Sequence, residues 1–290
     1  MNVIRAGTLG FCMGVRRAVD IAQTESEKTK SIVYTLGPLI HNAFVLDNLK
    51  KSGVISIEKD KIDTIPKNST VIIRAHGVSP ALEMELKNYE TNIIDATCPK
   101  VKKSQSIAKE YAEKGYSIFL AGDKNHSEII GIRGYAEAAG ATNCFIVGNS
   151  SEAKSAAEEL FSKNRTAQTV LIGQTTIIPF EYRVLGLEIK KVFPDLEIRD
   201  SICSATVDRQ NALKDLCNIV QAIVITGDKN SANTRSLFEL SCNLGKPSWL
   251  VGSPDDISED IKNYKTVGLS AGASAPESLI ADIERALLAL

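Results

Sequence analysis

Three cysteines recur in one local setting: Cys12 in GFCMGVRRAVDIA, Cys98 in ATCPKVKKSQSIA and Cys203 in SICSATVDRQNAL. Each follows a short extended stretch and opens a run with helical apolar spacing. Val15, Ala18, Val19 and Ala22 form the expected buried stripe of the first helix, and Val101, Ile107, Ala108 and Tyr111 that of the second. Pro99 suits the first helical position, which puts Cys98 at the cap. A thiolate there sits at the positive end of the helix dipole, which favours its ionised, metal-binding form. Three thiolates meeting at one point describe a metal site with an open position, either a Cys₃ zinc carrying a water or a four-iron cluster with one iron free. Taken singly, each cysteine reads more readily as a small core hydrophobe; the shared motif position reverses that preference and argues for ligands. Cys144, Cys217 and Cys242 lie on apolar strand or helix runs and read as core.

A polar turn follows each cysteine at nearly constant distance: GPLIHN with His41, GDKNHSE with His126 and GDKNSAN with Ser231, lying 29, 28 and 28 residues downstream. A third turn follows a later strand: RAHGVSP with His76, GQTTIIP with Thr175 and SAGASAP with Ser274, in a looser register. All three histidines of the chain fall in such turns. One histidine alone is an ordinary surface or core residue, but three in equivalent turns suggest a shared task. Imidazoles, the hydroxyls of Thr175, Ser231 and Ser274, the Asn233 amide and several helix starts make a donor-rich pocket for an oxygen-rich anion such as a diphosphate. Ser231, Asn233 and Ser274 also read as helix N-caps. Glu128 reads either as a first-turn acid that stabilises its helix or, in a dry pocket, as a proton donor. Neither GxxxxGK[ST] nor GxGxxG occurs, so the common nucleotide-binding loops are absent.

The elements that must hold these turns are short β-branched runs alternating with amphipathic stretches: IVYTL, VISI, VIIRA, NIIDA, SIFLA, CFIVG, TVLIG, LEIRD, AIVIT, SWLVG and KTVGLS. That alternation predicts an α/β fold with parallel sheets covered by helices. The repeat divides the chain into three α/β lobes, 1–97, 98–202 and 203–290, whose ligand-bearing turns lie beyond the carboxyl ends of the strands. With 34 Lys and Arg against 35 Asp and Glu, the net charge is −1, which speaks against a nucleic-acid partner or an anionic membrane surface. No apolar run is long enough to cross a bilayer, and the start MNVIRAGTLGF has no cationic segment leading an apolar one, so a cytoplasmic protein is expected. Six cysteines in 290 residues are too sparse for a disulfide scaffold.

The stretches GFCMGVRRAV, GPLIHN, RAHGV, DATCPKV, NHSEIIG, GQTT, ICSATVDRQ, KNSANT and SAGASAPE, running from residue 10 to 277, resemble the 4-hydroxy-3-methylbut-2-enyl diphosphate reductases of the non-mevalonate isoprenoid pathway. The resemblance implies a three-lobed trefoil around a central iron-sulfur site. It implies a 4Fe-4S cluster on Cys12, Cys98 and Cys203 with one iron open to the substrate's hydroxyl oxygen. His41, His76, Ser231, Asn233 and Ser274 would then hold the diphosphate, with His126 also lining the pocket, and Thr175 and Glu128 would form the hydroxyl and proton network. The implied reaction removes that hydroxyl as water with two electrons and two protons, giving isopentenyl and dimethylallyl diphosphates. Electrons would come from a partner such as ferredoxin or flavodoxin. Arg16, Arg17, Lys100, Lys102 and Lys103, which follow two of the cysteines, read as a solvated helix face or as a surface for such an acidic carrier. The sequence departs from the resembled pattern at Ala232, where Asn230-Ser231-Ala232-Asn233 replaces Asn-Ser-Ser-Asn and removes one diphosphate-contacting hydroxyl. The GDKNHSE turn also lacks the glycine-rich form usual in the resembled proteins. The residues alone leave two rivals, a Cys₃ zinc hydrolase with Glu128 as general base and a non-catalytic iron-sulfur sensor.

Overall fold

The computed structural model describes residues 1–29 and 31–290. Strand and helix alternate as the pattern predicts. The chain opens with β1 (Asn2–Arg5) and α1 (Met13–Thr29), then runs through β2 (Val33–Leu36), α2 (Ala43–Lys51), β3 (Val54–Ile57), β4 (Thr70–Ile73), α3 (Pro80–Asn88) and β5 (Asn92–Asp95). A second series follows with α4 (Pro99–Glu113), β6 (Ser117–Ala121), α5 (Ser127–Ala138), β7 (Cys144–Val147), α6 (Ser150–Lys163), β8 (Thr169–Gly173), α7 (Pro179–Lys190) and β9 (Glu197–Ile198). The last comprises α8 (Ser204–Cys217), β10 (Ala222–Thr226), α9 (Ala232–Asn243), β11 (Ser248–Val251), β12 (Thr266–Ala271) and α10 (Glu277–Ala289).

The strands form three parallel sheets of four, in the orders β3-β2-β4-β5, β7-β6-β8-β9 and β11-β10-β12-β1. The orders are the same arrangement repeated. In each, the fourth strand lies beside the third and leads directly into a cysteine: β5 into Cys98, β9 into Cys203 and β1 into Cys12. Strand β1 was not among the runs read from sequence, because Val3 and Ile4 alone carry its apolar character; it joins residues 222–271 by pairing with β12 from Asn2↔Thr266 to Arg5↔Leu269.

Two compact units result. One comprises Met1–Ser31, Pro38–Ile55 and Ser204–Leu290, the other Ile32–Gly37 and Ser56–Cys203. We call them the first and second unit. The two-residue alternation of a sheet buried on both faces is plain in each. In the second unit Phe119, Ala121 and Leu171 pack on one side, while Ile118, Leu120, Val170 and Ile172 pack on the other. In the first unit Val224 and Leu269 belong to one core and Ile223 and Ile225 to its opposite. Covering both faces leaves the strand ends as the places where polar side chains can gather.

Candidate active site

All three proposed ligand cysteines stand where a helix begins. Cys12 precedes α1, Cys98 is the N-cap of α4 with Pro99 behind it, and Cys203 precedes α8. Each is a half-exposed thiol in no disulfide, and each backbone N–H is fixed in the same way. Cys98 donates to the Ala75 carbonyl at 2.9 Å, Cys203 to that of Thr175 at 2.9 Å and Cys12 to that of Ala273 at 3.1 Å. The repeated bond ties every cysteine turn to a third-turn backbone and sets the true register of those turns. Ala75, Thr175 and Ala273 are equivalent, and His76, Thr176 and Ser274 come next. The sequence alignment of Thr175 with His76 and Ser274 is therefore off by one residue, which accounts for its looseness.

The Cys12 sulfur accepts from the Val15 N–H at 3.5 Å, a backbone amide of the first turn of α1. Two turn glycines are required by close packing here. Gly10 takes φ +77°, and a Cβ on it would meet Ile280 Cδ1 at 3.1 Å; its carbonyl accepts from buried Arg209 at 2.6 Å. Gly77, at φ +71° directly after His76, would collide with Gln105 Nε2 at 2.6 Å. The remaining cysteines differ from these three. Cys144 and Cys217 pack against apolar cores, and burial raises both thiols, that of Cys144 to about 12, which suppresses thiolate. Cys242 is exposed, contrary to its reading as core: α9 buries Leu237 and Ser241 on its inner face and turns the next position outward.

Within the second unit, α5 holds His126 at its N-cap and Glu128 in its first turn. The His126 Nδ1 accepts the Glu128 N–H at 3.2 Å, so the neutral imidazole carries its proton on Nε2, which remains a donor. His76 lies edge-on to His126 with ring centroids 5.2 Å apart. Glu128 is 1 % exposed, and its carboxylate accepts from Thr175 twice, from the backbone N–H at 2.7 Å and from the hydroxyl at 3.0 Å. Burial pushes its acid dissociation up to about 7 against the opposing pull of those two bonds. The acid is thus poised near neutrality, and through Thr175, whose carbonyl holds Cys203, it is one residue from a cysteine turn.

Within the first unit, Ser231 caps α9 by accepting the Thr234 N–H at 3.4 Å, which leaves its own O–H to donate elsewhere. Asn233 lies one position inside the helix and is no cap. Its Oδ1 accepts the Ala273 N–H at 2.9 Å, while its buried Nδ2 has no partner among the described residues. Ser274 likewise is not a cap, since Pro276 holds that place at α10; its hydroxyl donates to the His41 carbonyl at 2.9 Å, holding the half-exposed His41 against this turn. Residues 273 to 275 thereby fasten both the His41 turn and the Asn233 helix.

Four supporting residues were not evident from sequence. Gln174 is buried across Gly122, accepting the Asp123 N–H at 3.1 Å and donating to Thr176 Oγ1 at 3.0 Å, so it ties the His126 turn to the Thr175 turn. Arg209 fastens the Cys12 turn, as above, while also donating to the Ala205 carbonyl at 2.7 Å. The turn carboxylates Asp123 and Asp228 are each engaged by backbone N–H groups: Asp123 by the local Asn125, Asp228 by the local Asn230 and by the sequence-distant Ala43. A polar residue on the apolar side of its helix was the available signal for Arg209, and a glutamine abutting a turn that for Gln174.

Electrostatics separates the helices into two groups. Carboxylates complement the dipole in the first turn of α3 (Glu83), α6 (Glu152), α7 (Glu181) and α10 (Glu277). The first turns of α1, α2, α4, α8 and α9, which follow the cysteine turns and two of the histidine and serine turns, carry none. Among the helices that follow the other polar turns, α5 carries Glu128, and α3, α7 and α10, which follow the His76, Thr175 and Ser274 turns, carry the carboxylates just named. Helix starts kept clear of carboxylates remain available to thiolates and anionic ligands.

An α/β oxidoreductase is the class these features are consistent with, since soft thiolates suit redox metals and a buried acid near neutrality suits proton transfer. Residues 3–288 match the family model described as LytB protein. A 4-hydroxy-3-methylbut-2-enyl diphosphate reductase of Treponema denticola is 43% identical over 99% of both chains, and that of Clostridioides difficile is 36% identical over 98% of both. Among solved structures, the E-1-hydroxy-2-methyl-but-2-enyl-4-diphosphate reductase of Plasmodium falciparum superposes with a TM-score of 0.90 at 28% identity, covering 98% of this chain and 87% of that one. A second, an (E)-4-hydroxy-3-methyl-but-2-enyl diphosphate reductase that is the terminal enzyme of the non-mevalonate pathway, gives 0.71 at 32% identity over the whole of both chains. The chain belongs to the LytB family, a family of iron-sulfur enzymes that act on a small diphosphate substrate. No described helix is long and apolar enough to cross a membrane.

Proposed function

We propose that this chain reductively dehydroxylates 4-hydroxy-3-methylbut-2-enyl diphosphate to isopentenyl and dimethylallyl diphosphates on a 4Fe-4S cluster held by Cys12, Cys98 and Cys203. The donor chemistry fits that group: three thiols outside any disulfide, each at a helix start clear of carboxylates, would give an all-sulfur set with one coordination position unfilled. When bound, the cluster supplies single electrons and a Lewis-acidic metal. The observation that carries the reading is the Glu128–Thr175 pair, a protonatable acid bonded to the residue whose carbonyl holds Cys203.

The protein's own contribution is binding and proton delivery. The diphosphate falls to His41, His76, Ser231, Asn233 and Ser274, with His126 adding its Nε2–H. Asn233 offers an Nδ2 not otherwise engaged, and Ser231 a free O–H, whereas Ser274 must turn its hydroxyl away from the His41 carbonyl to donate to phosphate. Glu128 protonates the departing hydroxide, with the Thr175 hydroxyl between acid and substrate as orienting group. Two electrons and two protons enter, and water leaves. The division into lobes 1–97, 98–202 and 203–290, each delivering one cysteine, belongs to this proposal, as do a cytoplasmic location and an electron carrier such as ferredoxin or flavodoxin.

Anaerobic iron and sulfide analysis with paramagnetic resonance, run with and without the diphosphate substrate, tests it. About four irons and four sulfides per chain and a spectrum altered by substrate are expected. A colourless protein holding one zinc would replace this reading with that of a Cys₃ hydrolase.

A further inference from the structure

Helix α4 carries a charge pattern that its own fold does not call for. Its first three turns hold Lys100, Lys102, Lys103 and Lys109 and no carboxylate before Glu110. Three of those lysines fall at the helix start, where the dipole disfavours positive charge. Several helix-surface lysines elsewhere in the chain pair with carboxylates three or four residues away, as in Lys154–Glu158, Lys163–Glu159 and Lys191–Glu188. Within α4 itself, Lys109 pairs with Glu113, and Lys102 reaches Asp95. Lys100 and Lys103 are exposed and have no acidic partner among the described residues. They stand two and five residues beyond Cys98, on the helix that this cysteine caps. In a chain of net charge −1 such a patch is local and is not a general basic surface.

We infer that Lys100 and Lys103 form the docking face for an acidic one-electron carrier protein; this rests on the assignment of Cys98 as a cluster ligand. Positive charge at the mouth of a redox site selects a negatively charged partner and raises its association rate in a salt-dependent way. Each docking event oxidises the carrier by one electron and reduces the enzyme by one. Two events and two protons complete the removal of one hydroxyl as water.

The experiment uses a plant-type 2Fe-2S ferredoxin as probe and the reconstituted holoenzyme. Lys100→Glu/Lys103→Glu is expected to raise both the ferredoxin Kd, measured by calorimetry, and the ferredoxin KM by about tenfold or more at low salt, with the wild-type salt dependence flattened. Lys100→Gln/Lys103→Gln should fall between. Turnover driven by reduced methyl viologen, which needs no docking face, should stay within about twofold of wild type. An unchanged ferredoxin Kd in the reversal variant overturns the docking face. A wild type that viologen cannot drive overturns the functional reading instead, and the calorimetric comparison still decides the docking face.

Discussion

The same bracket is built twice with different chemistry. In the second unit Glu128 reaches from the first turn of α5 to the Thr175 N–H; in the first unit Asn233 reaches from the first turn of α9 to the Ala273 N–H. The two residues sit at matching places in GDKNHSE and GDKNSAN, and their partners hold Cys203 and Cys12 through the same backbone bond. Mechanically the brackets are alike. Glutamate supplies a proton that comes and goes near neutrality, and Thr175 adds a hydroxyl where Ala273 has none. Asparagine supplies only a fixed donor, its Nδ2. On the proposed reading, one scaffold is used once to handle a proton and once to hold an anion, distinguished by a carboxylate against an amide.

Breaking what both brackets share should have the largest effect. Cys12→Ser, Cys98→Ser or Cys203→Ser should remove most of the bound iron and with it nearly all turnover, while serine at Cys144, Cys217 or Cys242 leaves iron content close to wild type. Equal iron loss in both groups would refute the ligand assignment.

Next comes exchange of chemistry between the brackets. Asn233→Asp places a carboxylate where the account needs a donor, so substrate Kd should rise by at least about tenfold through like-charge repulsion, with the free enzyme's cluster spectrum unaltered. Tight substrate binding in that variant would show that Asn233 does not face the diphosphate. His41→Ala and His76→Ala should likewise weaken binding and spare the cluster.

The titration of Glu128 predicts a smaller effect on stability. A carboxyl held up at about 7 in the fold, against 4.5 unfolded, is favoured by folding while protonated; that advantage is whole below pH 4.5 and is lost as pH rises through 7. Glu128→Gln keeps the neutral form at every pH. Between pH 5 and pH 9 it should therefore gain stability relative to wild type by about 3 kcal/mol, read as a Tm difference that widens by roughly 5 °C. A Tm difference independent of pH would mean that Glu128 does not change protonation over this range. Least of all, Ala232→Ser, which restores the hydroxyl missing from KNSAN, should leave substrate affinity equal or improve it by a single hydrogen bond, about 1.5 to 3 kcal/mol at most. A marked loss would show that the turn packs differently there.

Much of this comparison was legible in the sequence because α/β periodicity and the spacing of cysteine, histidine and serine turns are local signals. Cys98 at its cap with Pro99 inside the helix needs only neighbouring residues to be read. Pairings between distant segments were not legible. Strand β1 offers two apolar residues in four, and only its partner β12 shows where it belongs. The Glu128–Thr175 and Asn233–Ala273 bonds span 47 and 40 residues, so the equivalence of the brackets, and the one-residue correction to the third turn, emerge only from the folded backbone. Cys242 was misread because the apolar LFEL before it says nothing of which way the next position turns.

Glu128→Gln bears most directly on the division of labour between the brackets. The amide can accept the Thr175 N–H and donate to its hydroxyl, so the bracket survives while the transferable proton is gone. Single-turnover reduction of the diphosphate substrate, with substrate binding followed by the change it makes in the cluster spectrum, should show binding within about threefold of wild type and a rate at least about 10²-fold lower. Wild-type kcat/KM should fall as pH rises above 7, and the residual rate of the variant should lack that limb. A variant that reduces substrate at close to the wild-type rate would contradict the account, leaving Glu128 a brace like Asn233.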